Sequence, residues 1–129
     1  MTFYEQKLKS LKKNLYHNQD QIKTIIAVRN YIDSNYETDL NMILLSKIML
    51  ISKYHLIRLF KRYYGLTPRQ YLTNKRIEKS KDNLRMGMTV TETCYSIGFS
   101  SLGSFSVLFK TKTGKTPAEF RKEQFSRSN

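Results

Sequence analysis

The sequence predicts an all-α protein, and three observations carry that prediction. No stretch of the 129 residues alternates apolar and polar side chains with period two, as a half-buried strand does. Apolar residues recur at spacings of three and four instead, between residues that start helices (Asp20, Asp39, Ser52, Thr67, Thr89, Ser101, Thr116) and glycines that stop them (Gly65, Gly87, Gly98). The third observation is a repeat. Ser52, Leu59, Phe60, Lys61, Gly65, Thr67 and Pro68 recur at one constant offset as Ser101, Leu108, Phe109, Lys110, Gly114, Thr116 and Pro117, while Leu56/Phe105 and Tyr71/Phe120 match in kind.

Taken in order, Tyr4, Leu8, Leu11 and Leu15 fall at heptad-like spacing among Lys7, Lys9, Lys12 and Lys13. They predict an amphipathic helix or extension over residues 1–19: a dimerisation stub, the tail of a lost domain, or a helix folded back on the core. Asp20 is expected to cap a second helix carrying Ile22, Ile25, Ile26, Val28 and Ile32, broken over 35–39. Asp39 is the expected cap of a helix over 40–49, and Ser52 of one that runs to Tyr64, where Gly65 ends it. Thr67 and Pro68 restart the chain, threonine at the N-cap and proline at the first helical position. The helix that follows, about 69–86, carries Leu72, Ile77, Ser80 and Leu84 on one side, and Gly87 stops it. Thr89 with Glu92 has capping-box spacing and opens a helix to Ile97; Gly98-Phe99 makes a turn; Ser101 caps a helix to about Thr113. Thr116-Pro117 with Glu119 opens a last short helix to about Gln124, with fraying expected beyond Phe125. The domain reading is an extension over 1–19, a first unit over 20–67, a linker helix over 68–87, a second unit over 88–125 and a frayed tail over 126–129.

On a wheel of about 100° per residue, Leu56, Leu59, Phe60 and Tyr63 share one face, while Tyr54, Ile57, Arg58 and Lys61 share the opposite one, with Arg62 at its edge. A short helix precedes this one after a tight turn. Two short helices, the second amphipathic and basic on its free face, make a helix-turn-helix, whose second helix fits the major groove. In the second copy Phe105, Leu108 and Phe109 form the apolar face; Gly103, Ser106, Val107 and Lys110 form the free one, with Leu102 and Thr111 at its margins.

Charge points the same way. The formal net charge is +13, and eleven basic residues against two acidic ones between Lys47 and Arg85 place nine of those charges around the first copy. Such a chain favours a polyanionic partner. Cys94 is the one cysteine, so no intrachain disulfide and no multi-cysteine zinc site can form; His17 and His55 do not sit at metal-ligand spacing with a carboxylate, and no metal or cofactor is expected. Apolar runs are too short for a transmembrane helix, and the lysine-rich N-terminus lacks a following signal core, so no membrane partner and a cytoplasmic, nucleoid-associated location are expected.

Residues 20–124 resemble the DNA-binding domain of AraC/XylS-type transcription regulators. The best match is Ile97-Gly98-Phe99-Ser100-Ser101, Phe105-Ser106, Phe109-Lys110 and Gly114-Lys115-Thr116-Pro117-Ala118-Glu119-Phe120-Arg121, the family's signature region; Lys75-Arg76-Ile77, Ser80 and Leu84 look like its linker helix. The resemblance implies seven helices, two helix-turn-helix subdomains held by the long linker helix, and two recognition helices in successive major-groove segments on one face of the duplex. It also carries base-reading positions onto Tyr54, Ile57 and Arg58 and onto Leu102, Gly103, Ser106 and Val107. Departures are plain. Leu50 stands where the first turn usually has glycine, and a positive φ there would cost on the order of 1 kcal/mol. Ser46, Ser80 and Cys94 replace alanines, and the second recognition helix lacks the amide and arginine side chains the family often places there.

Arg58 is the leading base reader, because a guanidinium binds guanine O6 and N7 bidentately. Tyr54 and Ile57 can pack on thymine methyls. Leu102, Gly103 and Val107 donate no side-chain hydrogen bond, so the second helix is expected to read methyl groups and DNA shape or mainly to hold the backbone. Ser52, Lys53, Lys61, Arg62, Ser101, Lys110 and Lys112 are the phosphate candidates, helped by helix N-terminal amides. The expected function is sequence-specific binding of double-stranded promoter DNA at an asymmetric site, with RNA polymerase as a further partner. A monomer or weak dimer through residues 3–16 is expected, with no small-molecule site. A nonspecific architectural nucleic-acid-binding protein is the alternative, and a repair enzyme accepting alkyl groups on Cys94 a remote one. Met1 favours a stand-alone regulator over a fragment of a longer one.

Overall fold

A computed structural model describes residues 2–128 and the side chains of all of these but 15–17 and 128. Among these described residues seven helices follow one another: α1 (Phe3–Asn35), α2 (Met42–Met49), α3 (Lys53–Tyr64), α4 (Pro68–Arg85), α5 (Val90–Ser96), α6 (Leu102–Thr113) and α7 (Pro117–Ser128). Among the described residues there is no strand.

Three boundaries differ from expectation. Asp20 caps nothing: α1 is one 33-residue helix opened by a capping box of Thr2 and Glu5, and the Asp20 carbonyl accepts from Thr24 Oγ1 at 2.9 Å in its interior. Neither glycine nor proline occurs before Gly65, and a lone aspartate costs a helix interior less than about 1 kcal/mol, too little to break it. The next cap is Asn41 rather than Asp39, its Oδ1 accepting from Leu44 N at 2.8 Å. Finally, α7 continues past Phe125, whose ring lies 4.7 Å from the Arg121 guanidinium. Met1, Asn129 and the side chains of Leu15 and His17 lie outside the described residues.

The remaining caps act as the sequence implies. Ser52 accepts from His55 N, Ser101 from Ser104 N and Thr89 from Glu92 N; Thr67 with Gln70 closes a reciprocal box, as does Thr116 with Glu119. Each cap satisfies a backbone donor that the first helical turn leaves free.

Two cores form, one per helix-turn-helix. In the first, Ile25, Val28 and Ile32 of α1 meet Leu45 of α2, Leu56, Leu59 and Phe60 of α3, and Leu72 of α4. Ile22 and Ile26, expected beside them, stand 42% and 41% exposed, because only one stripe of α1 faces the bundle. In the second, Ile77 and Leu84 of α4 meet Cys94, Ile97, Phe105 and Phe109, and rings touch in series from Phe99 through Phe105 and Phe109 to Phe120, the last two contacts edge to face. The linker helix α4 therefore belongs to both cores. Tyr36, at the end of α1, packs against both as well.

Candidate nucleic-acid interface

Both recognition helices are aimed by the same kind of turn. At the end of α2, Leu50 N donates to the Lys47 carbonyl (3.3 Å) and Ile51 N to that of Ser46 (3.1 Å); at the end of α5, Gly98 N donates to Tyr95 (3.3 Å) and Phe99 N to Cys94 (3.2 Å). This paired pattern ends a helix on a left-handed residue. Leu50 takes φ 56° and Gly98 φ 99°. Leu50 thus corresponds to Gly98, and the second turn holds one more residue before its serine cap; the constant offset of the repeat slips by one across the turn. The leucine is strained where the second turn carries glycine, and its side chain is 90% exposed.

Helix α3 then divides as the wheel implies. Leu56, Leu59 and Phe60 are buried; Tyr54 is 74% exposed, Arg58 and Lys61 are exposed, and Ile57 is half-buried. Tyr63, expected on the apolar face, lies at its edge and reaches Gln21 Oε1 with its hydroxyl at 3.5 Å. Ser52, Lys53 and Arg62 are exposed around this face, Arg62 lying 6.0 Å over the Tyr63 ring. Among the described residues, Lys53, Arg58, Lys61, Lys110 and Lys112 make no ion pair, so their charge is directed to solvent.

On α6, Leu102, Gly103 and Val107 are exposed and Ser106 is half-buried, with Ser101, Lys110 and Lys112 exposed beside them. A shallow, mainly apolar groove lined by Phe99, Gly103, Ser104, Val107, Leu108 and Thr111 runs along this helix. The structure thus gathers the first-helix candidates on one surface of α3 and the second-helix candidates on one surface of α6. The first surface is basic; the second is mainly apolar, with Lys110 and Lys112 exposed beside it.

What positions those surfaces relative to each other was not legible in the repeat. Asp33 on α1 accepts a hydrogen bond from Tyr71 OH (2.7 Å) and pairs with Lys75 Nζ (3.6 Å), tying α4 to the first core. Arg76, one of the eleven basic residues between Lys47 and Arg85, is half-buried: Nε donates to the Tyr36 carbonyl and Nη2 to that of Thr38, both at 2.7 Å. These carbonyls lie just past the end of α1, where a helix leaves acceptors unsatisfied. Burial lowers the Arg76 pKa from its ordinary value, with Asp39 opposing the shift. On the far side of α4, the Arg121 guanidinium donates to the carbonyls of Gly87 and Met88 and fixes α7 to the end of the linker helix. The available signal was Arg76 itself, a basic residue directly before Ile77 on a helix whose apolar side was expected to be buried, with an acceptor-rich break over 35–41 to receive it.

Comparison with known proteins bears on this arrangement directly. Residues 45–123, well over half the chain, match the family described as a helix-turn-helix domain. The chain belongs to the AraC/XylS-type family. It is 34% identical over 95 residues to AdaA of Bacillus subtilis (strain 168), a bifunctional transcriptional activator and DNA repair enzyme, covering 73% of this chain and 45% of that one. The chain spans about half or less of the curated relatives it matches, 55% and 35% in two others. Among solved structures, a probable AraC family transcriptional regulator from Rhodopseudomonas palustris CGA009 superposes with TM-score 0.70 at 25% identity, covering 79% of this chain and 97% of that one. The DNA-binding domain of AdpA, solved in complex with a target DNA, gives TM-score 0.76 at 21% identity over 80% and 94% of the two chains. The AraC/XylS-type architecture accounts for the two helix-turn-helix units and for the linker helix shared by both cores. Among the described residues no helix is long and apolar enough to cross a membrane, and no group of three or more His, Cys, Asp or Glu is gathered.

Proposed function

We propose that this chain binds double-stranded promoter DNA sequence-specifically as a transcription regulator, with α3 and α6 entering successive major-groove segments of an asymmetric site. The observation that carries the reading is the free face of α3: Tyr54 and Arg58 project from a rigidly capped helix beside Lys61, with no acidic partner for either charge among the described residues. Arg58 reads guanine, Tyr54 and Ile57 meet thymine methyls, and Ser52, Lys53, Lys61 and Arg62 hold phosphates. In the second unit Leu102, Gly103, Ser106 and Val107 face the bases, with Ser101, Lys110 and Lys112 on the backbone. The apolar groove along α6 supports contact with methyl groups and shape over hydrogen-bonded readout.

Regulation then runs through contact with RNA polymerase or through occlusion of the promoter. The chain acts as a monomer or as a weak dimer paired through residues 3–16, whose Phe3, Tyr4, Leu8 and Leu11 are all exposed. Site selection from a random DNA library tests the main reading, which expects one preferred asymmetric site. On that site Arg58→Ala relaxes the choice at one base pair, worth about 1–3 kcal/mol of discrimination, while Lys61→Ala weakens every sequence alike and lowers the salt slope by about 1. Displacement by random competitor DNA without preference would point to the architectural alternative. An unchanged preference in Arg58→Ala would remove α3 as the main reader.

A further inference from the structure

We propose that Arg76, Tyr36 and Gly98 form a latch between the two subdomains that sets the rotational phase of α6 relative to α3, and through it the spacing between the two DNA segments the protein accepts. The inference rests on the reading that both helices enter DNA. It goes further, by assigning spacing selectivity to side chains that touch no nucleic acid.

The contacts form one unbroken path. Arg76 leaves the middle of α4 and bonds the carbonyls of Tyr36 and Thr38, so the end of α1 is held to the linker helix. The same guanidinium lies 5.6 Å over the ring of Phe99, the residue after Gly98 in the second turn. Phe99 in turn packs on Phe105 of α6, with ring centroids 5.3 Å apart. Tyr36 completes the bridge by packing against both cores. A single arginine thereby connects the corner of the first subdomain to the recognition helix of the second.

Gly98 shows how tight the closure is. Besides its φ of 99°, a Cβ there would lie 2.9 Å from Arg76 Nη2 and 2.9 Å from the Tyr36 carbonyl oxygen. The second of these is backbone, so no side-chain rotation relieves it. The other turn and cap glycines lack this constraint: a Cβ at Gly65 or Gly114 meets nothing within 4 Å. Gly98 is therefore selected twice, once by the turn and once by the approach of the other subdomain. The linker helix alone fixes the distance between the cores; a rod still allows the domain at its end to twist and bend about its last contacts. The latch sits off the helix axis and removes that freedom.

The test uses the full chain and a site selected with the unaltered protein. Affinity is measured on that site and on versions with one or two base pairs inserted or deleted between its two segments. One inserted base pair turns the second segment by about a tenth of a turn, and the unaltered protein is expected to lose about tenfold or more. In Arg76→Ala and Gly98→Ala the loss shrinks to about threefold or less, while the original site binds about tenfold more weakly because the phase is no longer set in advance. Arg76→Lys, which keeps one carbonyl bond, falls between. Spin labels on Lys47→Cys and Lys122→Cys, with Cys94 buried and unlabelled, report one narrow distance in the otherwise unaltered protein and a broadened distribution in the latch variants without DNA. Should Gly98→Ala fail to fold by circular dichroism, the two Arg76 variants decide. Folded Arg76 variants with the unaltered spacing penalty and the unaltered distance distribution overturn the latch. If the unaltered protein itself ignores spacing, the two-helix reading fails instead, and the spin-label distances alone judge the latch.

Discussion

Replacing Leu50 by glycine should stabilise the protein, although it removes the four side-chain carbons of the leucine. Leu50 holds φ 56° and ψ 37°, and its side chain is 90% exposed, so almost no buried apolar area is lost on truncation. The left-handed conformation costs a residue with a Cβ about 1–2 kcal/mol, and that cost disappears in glycine. Against it stands the larger conformational entropy that glycine gives the unfolded chain, about 0.4–1 kcal/mol. The difference leaves Leu50→Gly more stable by about 0.5–1 kcal/mol. The two backbone bonds that close the turn, Leu50 N to Lys47 and Ile51 N to Ser46, need no side chain and are retained. Urea unfolding followed by circular dichroism should show a higher midpoint with an unchanged slope. Leu50→Ala is the control: it loses the same exposed side chain but keeps the left-handed cost, and should show no such gain. If Leu50→Gly is no more stable than Leu50→Ala, the turn is not strained and the account of it is wrong.

Two further outcomes follow from the half-buried Tyr71 and the buried Cys94. The Tyr71 phenol is pushed up to about 12, first by burial and then by its hydrogen bond to Asp33. Between pH 10 and 12 the unfolded chain loses this proton while the native one keeps it, so the group's contribution is whole below pH 10 and is lost as pH rises through that window. At pH 7 Tyr71→Phe should cost about 1 kcal/mol for the lost hydrogen bond, and the gap to the unaltered protein should shrink near pH 11; an identical gap at both values would refute the linkage. Cys94 is fully buried and burial raises its thiol pKa, both of which oppose a reactive thiolate. Ellman's reagent should therefore titrate no thiol in the native protein and one in urea, and Cys94→Ala should keep DNA binding at a stability cost of about 1 kcal/mol; rapid native labelling or alkyl transfer lost in Cys94→Ala would restore the repair reading.

Local signals wrote most of this fold into the sequence. Ser52, Thr67, Thr89, Ser101 and Thr116 cap helices as read, because a cap needs only one oxygen and one amide three residues on. The four apolar or small residues expected on the inner side of α4, Leu72, Ile77, Ser80 and Leu84, are all buried. Asp20 misled because a capping residue also survives inside a helix when nothing nearby breaks it. Asp39 misled because it sits in a corner whose Tyr36 and Thr38 carbonyls accept from Arg76, and the cap of α2 falls two residues later, on Asn41. The candidate DNA-facing residues were readable from the wheel and from the family resemblance together. Their relative placement was not, since it depends on contacts between residues about 40 and 60 positions apart.

The two turns show why the repeat diverged where it did. Both end a helix on a left-handed residue with the same pair of backbone bonds, so both ask for glycine on conformational grounds alone. Leu50 can violate that demand because its Cβ points into open solvent and the only cost is local strain. Gly98 cannot, because the Tyr36 carbonyl and the Arg76 guanidinium already occupy the space a side chain would need. The first turn is thus free to vary and the second is held by the rest of the molecule. That ordering matches the two candidate surfaces: the first unit carries a basic, hydrogen-bonding face, while the second offers a mainly apolar one, which the latch proposal makes dependent on being delivered at a set angle. On the proposed reading, a helix with few hydrogen-bonding groups on its free face owes its specificity to its position, and Gly98 stands at the contact proposed to set that position.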